Sequence, residues 1–196
     1  MLRGFRCVRV ATHIEQLAID STQKGVARGM AAAVAFAIGV FGIAYVLQWP
    51  NFSTQTSVAL RLKLAALAGL APAAVLFLCI ARLAKHRFST PQDIHGSALT
   101  DGTERAKLLQ ALLQNTLEQT VLAVPVYLAA ALVFPARFLP LVAAAAALFV
   151  VGRTLFFRGY SSGAPSRAAG FGLTFYPSVA LLISVVVVAV LQGGAP

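Results

Sequence analysis

Charge is what this chain lacks most. Asp, Glu, Lys and Arg make up 11% of its 196 residues, against 59% hydrophobic residues, whereas water-soluble domains run near roughly 25% charged and 45–50% apolar. So little charge excludes a soluble globular protein. No polar stretch between the apolar ones approaches the roughly 50 residues of an independent core. Cysteine is also scarce. Cys7 and Cys79 lie on different segments, which excludes a disulfide framework or a CxxC metal pair and leaves two reduced thiols. His13, His86 and His95 are scattered without the paired spacing of metal ligands, so they read as surface histidines and no metal site is expected. A cleavable signal peptide would need an apolar stretch near the start, and there is none; the first span reads as an uncleaved anchor. No internal repeat stands out.

What is present is a series of uncharged runs at residues 29–60, 64–81, 119–136, 138–152 and 168–196. A membrane-spanning helix needs roughly 17–25 largely apolar residues. Four runs reach that length. The remaining one does so once Arg153 and Thr154 to Phe157 are added, which places an arginine on a helix. Barrel strands of roughly 9–11 residues with polar alternation do not fit runs of this kind. Only a helix satisfies its own backbone hydrogen bonds within one such segment. The expected fold is an all-α integral membrane helical bundle with five spans.

The positions of the charges set the orientation. The N-terminal lead carries Arg3, Arg6, Arg9, Lys24 and Arg28; the second connection and the helix ends beside it carry Arg82, Lys85, Arg87, Arg105 and Lys107; the fourth carries Arg153, Arg158 and Arg167. The opposite side holds only Arg61, Lys63 and Arg137, each close enough to a helix end to snorkel toward the headgroups. Thirteen basic residues against three put the N-terminus in the cytoplasm. The net charge of +10 is thereby explained by membrane orientation, and no nucleic-acid partner is expected.

Residues 1–27 form a cytoplasmic lead. In it Val10, Ile14, Leu17 and Ser21 follow helical spacing; the segment reads either as a short interfacial helix or as a partly disordered basic tail. The first span, within residues 28–50, ends at Trp49-Pro50, and residues 51–57 make an outer turn. The second covers about 58–84 with Pro72 inside it, and residues 86–104 form the main cytoplasmic loop. The third, fourth and fifth spans cover about 105–134, 136–157 and 170–191, with Pro135 and Pro140 marking a tight outer turn.

Two groups of residues carry chemistry. Asn115 and Glu118 stand three apart on the third span, hence on one helical face. An amide and a carboxylate inside the membrane are costly unless they face a cavity or a partner, so they are either interhelical glue or part of a site. Arg153, Tyr160 and Arg167 follow at intervals of seven. If Tyr160 closes the fourth helix, the chain turns back and sets Arg167 near the start of the fifth. Two arginines and a phenol converging there would suit an anionic small ligand. The other reading is a positive-inside loop.

The stretch ALLQNTLE (residues 111–118) on one span, with GRTLFFRGYSSGAPSRAAGF (residues 152–171) at a later helix-loop-helix, resembles the family of membrane-associated proteins in eicosanoid and glutathione metabolism, the MAPEG family. The resemblance covers residues 58–193 and four spans; the span before them is an additional N-terminal transmembrane helix. An added helix turns the family's outside N-terminus inward, in agreement with the charge count. The resemblance implies a homotrimer with glutathione bound between subunits near the cytoplasmic side, and lipophilic small-molecule substrates arriving through the lipid bilayer. By position it assigns Asn115, Glu118, Arg153 and Tyr160 to glutathione binding, with Glu118 on the ligand's amino group, and Arg167 to catalysis, holding the thiol as thiolate.

Three positions depart from the family pattern: Ala111 replaces an arginine one turn before the asparagine, Phe156 a tyrosine found in leukotriene-forming members, and Gln119 a tyrosine after the glutamate. Lys107, a turn before Ala111, is a candidate substitute for the missing arginine. The reading this supports is a glutathione-dependent transferase or peroxidase of lipophilic electrophiles, with a non-enzymatic lipid-binding or partner-binding scaffold as the alternative. A small transporter using Glu118 as an intramembrane ion site is a third. Abundant Ala and Arg point to a bacterial inner membrane.

Overall fold

The computed structural model describes the backbone of residues 2–48, 52–53, 56–96 and 101–193, and side chains within these ranges from residue 19 to residue 192. Trp49, Pro50 and Asn51 lie outside the described residues, as do the side chains of Cys7 and His13. Helices α1 (Leu2–Leu47), α2 (Val58–Ser89), α3 (Glu104–Val133), α4 (Pro140–Gly159) and α5 (Ala164–Gly193) make up the fold. Short 3₁₀ turns at Pro91–Asp93, Ala136–Phe138 and Tyr160–Ser162 join them. Each helix carries a stretch long and apolar enough to cross a membrane: Ile19–Leu47, Val58–Ser89, Glu104–Val133, Ala136–Ser162 and Ala164–Gln192. The protein is an all-α, multi-pass membrane bundle.

Local chemistry sets the helix ends. The Ser57 hydroxyl accepts from the backbone N–H of Leu60, and the Thr103 hydroxyl from that of Ala106, so each caps a helix start with an otherwise unpartnered donor. Pro140 opens α4, where a missing N–H costs nothing. The lead is not a separate element. α1 is helical from Leu2 through the boundary expected at residues 27–28, as a segment without proline permits. At about 1.5 Å per residue it is roughly 70 Å long, well beyond the ~30 Å hydrocarbon layer.

Helices α2 to α5 pack together, α2 chiefly on α3 and α4 chiefly on α5, and α1 lies outside them against α5 and α4. The shared core is centred on Tyr127, Ala130, Leu139, Val142 and Phe149, all fully buried. Phe77 and Ile183 are among the large apolar side chains left exposed, which suits a bundle whose solvent is lipid. Arg61, expected to snorkel, turns inward instead. Its Nη1 donates to the carbonyls of Ala131 (2.8 Å) and Phe134 (2.7 Å), meeting the negative end of α3.

The connection between α2 and α3 is shorter than expected because α2 continues to Ser89. Asp93, 2% exposed, closes it. Its Oδ1 accepts from the Thr103 backbone N–H (2.8 Å) and its Oδ2 from the Thr103 hydroxyl (2.7 Å), while His86 Nε2 lies 2.9 Å from Oδ2. The hydroxyl and amide of Thr103, with His86 adding to them, hold the Asp93 carboxyl below its ordinary range despite its burial. His86, read from the sequence as a surface residue, is thereby tied into the loop.

Candidate functional site

The site forms where α4 and α5 meet backbone to backbone. A side chain on Gly170 would stand 2.7 Å from the Gly152 carbonyl, and one on Gly152 2.8 Å from Thr174 Cγ2; one on Gly159 would overlap the Ser166 carbonyl. Glycine alone allows this approach. The chain reverses at Gly163, whose φ of +96° is open to glycine at little cost, so that α5 begins at Ala164 and Arg167 sits in its first turn.

The close approach lets Arg153 on α4 reach both neighbouring helices. Its guanidinium is 0% exposed. Nη1 donates to Asn115 Oδ1 on α3 (2.7 Å) and Nη2 to Thr174 Oγ1 on α5 (2.8 Å), and the Thr174 hydroxyl donates to the Phe171 carbonyl (2.8 Å). Nε has no partner among the described residues. The Arg153 Cζ lies 4.3 Å from the centre of the Phe156 ring; Phe156 meets Tyr160 edge to face at 5.3 Å, and the Arg167 Cζ lies 4.4 Å over the Tyr160 ring. Two arginines thus bracket two aromatic rings, each cation held on a π face.

On the far side of this stack is a cavity of about 310 Å³, within the size range of small-molecule pockets. Asn115, Tyr160 and Arg167 line it, together with Phe156. The lining holds one guanidinium and no carboxylate, so the pocket favours an anion. Because Asn115 Oδ1 already accepts from Arg153, its amide NH₂ is the group left to donate.

The residues expected from the sequence separate into three places. Asn115, Tyr160 and Arg167 meet around one cavity, and Arg153 lies buried behind them. Glu118 does not join them in this chain. It is exposed, and its Oε1 accepts from Gln114 Nε2 (3.0 Å). Three residues of helix rotate a side chain by about 60° from its starting face, enough to carry Glu118 out of the groove that Asn115 enters. Lys107 pairs with Glu104 (2.9 Å) and lines a different cavity, beside Ala111 and Gln114. Among the described residues no cluster of His, Cys, Asp or Glu could hold a metal ion.

Asn115 on α3, Arg153 on α4, Tyr160 just after it and Arg167 in the first turn of α5 are positions that the sequence resemblance singles out. Comparison with protein-family models matches the MAPEG family over residues 64–187. The chain belongs to the MAPEG family. No curated protein and no solved structure matches it. The match spans most of α2, α3, α4 and most of α5; α1 lies outside it.

Sequence reasoning missed four residues of this cluster in the MAPEG protein: Phe156, Thr174, Val26 and Met30. Phe156, noted there only as a departure, is the ring that joins Arg153 to Tyr160, and its spacing of three and four from them carried that signal. Thr174 anchors Arg153 from the next helix, a contact no spacing within α4 announces. The contribution of α1, through Val26 and Met30 on the cavity wall, also went unseen.

Proposed function

We propose that this MAPEG protein is a membrane-bound glutathione-dependent transferase or peroxidase-like enzyme of lipophilic electrophiles. The observation that carries this reading is the placement of Arg167 in a carboxylate-free cavity beside Asn115 and Tyr160. Glutathione, the co-substrate, supplies a thiol nucleophile. Arg167 holds the thiol's conjugate base by its fixed positive charge, lowering the thiol pKa from its usual value of about 8.5. The proton leaves to water, and the thiolate pair forms a C–S bond as the leaving group departs with its own pair. Asn115 and Tyr160 offer neutral donors to the tripeptide's carboxylates. Arg153 orients the Asn115 amide from behind the cavity.

Glu118 enters through assembly. A carboxylate on a lipid-facing helix surface is costly, and a neighbouring copy covering that face of α3 removes the cost. The homotrimer implied by the family resemblance would place Glu118 beside a second subunit, where it takes the ligand's amino group. The asymmetry of basic residues along the sequence supports a cytoplasmic N-terminus and site, and the abundance of Ala and Arg supports a bacterial inner membrane. One observation favours a non-enzymatic scaffold: both Nη groups of Arg153 are engaged inside the bundle.

Calorimetric titration of glutathione into the folded, detergent-solubilised oligomer separates the two. Saturable binding weakened by Arg167→Ala and by Asn115→Ala supports the transferase. Absence of binding at millimolar glutathione rejects it.

A further inference from the structure

The helix outside the family match is built into the site. Val26 and Met30, four apart on α1, line the same cavity as Arg167. α1 is seated there by small residues. A side chain on Gly29 would stand 3.0 Å from Ala168 Cβ and one on Gly25 3.0 Å from Pro165 Cβ; Ala33 is 2% exposed and would stand 2.7 Å from a side chain on Gly172. Gly25, Gly29, Ala33 and Ala37 recur every fourth residue, a stripe on which helices in membranes approach closely. The Tyr176 hydroxyl donates to Met30 Sδ (3.5 Å) and tethers that side chain to α5. This seat fixes the rotation of α1, so Val26 and Met30, each one residue past a seating glycine, turn toward the cavity.

The cavity lining is therefore mixed. Asn115, Tyr160 and Arg167 supply its polar groups, while α1 contributes the apolar Val26 and Met30. We propose that α1 is a specificity wall: Val26 and Met30 set the size of the lipophilic co-substrate that reaches Arg167. The reading rests on the proposed transferase function for its substrate, and on geometry alone for the wall. An unbranched thioether beside a β-branched valine makes a surface that yields to shape in one place and resists it in the other.

Two measurements on the full chain test it. In the first, Ala164, which lines the cavity, becomes the reporter thiol as Ala164→Cys in a Cys7→Ser, Cys79→Ala background, and is reacted with N-ethylmaleimide and with a pyrene maleimide. Met30→Trp and Val26→Trp should slow the bulky reagent about tenfold relative to the small one, and Met30→Ala and Val26→Ala should reverse the bias, in line with the ~10–200-fold that a small change in an apolar pocket commands. Bulky-to-small ratios that stay equal across all four variants, in protein of unchanged melting temperature, overturn the wall. In the second, kcat/KM for a small and a bulky aryl halide is measured with saturating glutathione. A matching shift in their ratio supports the specificity role; no shift in an active enzyme overturns it. If the maleimide pattern holds while no electrophile turns over, the wall stands and the transferase reading falls.

Discussion

Arg153 Nη1 on α4 and Asn115 Oδ1 on α3, 38 residues apart in sequence, meet at 2.7 Å where the buried guanidinium reaches the half-buried amide. That bond turns the Asn115 amide and ties α3 to α4, so the two side chains act as one unit.

Coupling between them is measurable. Arg153→Met should destabilise the folded protein by about 3 kcal/mol, because it leaves Asn115 and Thr174 without a charged donor. Asn115→Ala should cost less, and the double variant should fall short of the sum by about 1–2 kcal/mol. Chemical unfolding in detergent provides the cycle. Strict additivity would mean that the bond contributes nothing.

Tyr160 separates ring from hydroxyl. Tyr160→Phe keeps the face that Arg167 covers, so stability should change by less than about 0.5 kcal/mol, while glutathione affinity falls about tenfold for the lost donor. Tyr160→Leu should lose affinity as well and about 1 kcal/mol of stability. Calorimetry and thermal melts read the two effects separately.

Arg167 should control the ionisation of bound thiol. Ultraviolet absorbance of the thiolate, titrated against pH, should show glutathione ionised near neutrality in the native protein and about one to two pH units higher in Arg167→Ala. Arg167→Lys should hold part of the shift, since it keeps the charge and loses the planar fork. Identical titrations in all three would remove Arg167 from the catalytic role.

Gly170→Ala tests the α4–α5 weld. The added carbon must enter space held by the Gly152 carbonyl and the Phe156 backbone, so the variant should lose about 2–3 kcal/mol or fail to assemble. Gly39→Ala, with open space around it, should be neutral by the same melt.

The Asp93 latch predicts a direction with pH. Its folded carboxyl titrates below the ordinary value of 3.8, so its stabilising contribution is complete above that value and is lost as pH falls through the lower, folded one. Hydrogen exchange at residues 101–106 should stay slow down to about pH 4 and quicken below it. Asp93→Asn should exchange fast throughout that range.

Much of this was legible in the residues. The uncharged runs announced five helices, since in lipid a segment has no other way to satisfy its backbone. The family motif placed Asn115, Tyr160 and Arg167 together, and the structure gathers them around one cavity. Boundaries were less legible. The fifth helix begins at Ala164 rather than near residue 170, because the polar stretch after Gly163 still has helix-forming backbone and hydropathy alone marks only the apolar part. Arg61 was read as a snorkelling side chain because the carbonyls it meets, at Ala131 and Phe134, belong to another helix.

Composition, run length and charge asymmetry by themselves determined that this is a helical membrane protein, because these follow from the free energy of single segments in lipid and need no knowledge of neighbours. Which polar residues share a pocket was decided only by tertiary packing. Glycines at 152, 159 and 170 bring two backbones together, Arg153 then bridges three helices, Glu118 is rotated out, and a helix outside the family match supplies Val26 and Met30 to the cavity lining. Such contacts join residues as much as 146 positions apart, as between Tyr176 and Met30, and their energy depends on the shapes of both surfaces, which no local pattern in one chain segment records.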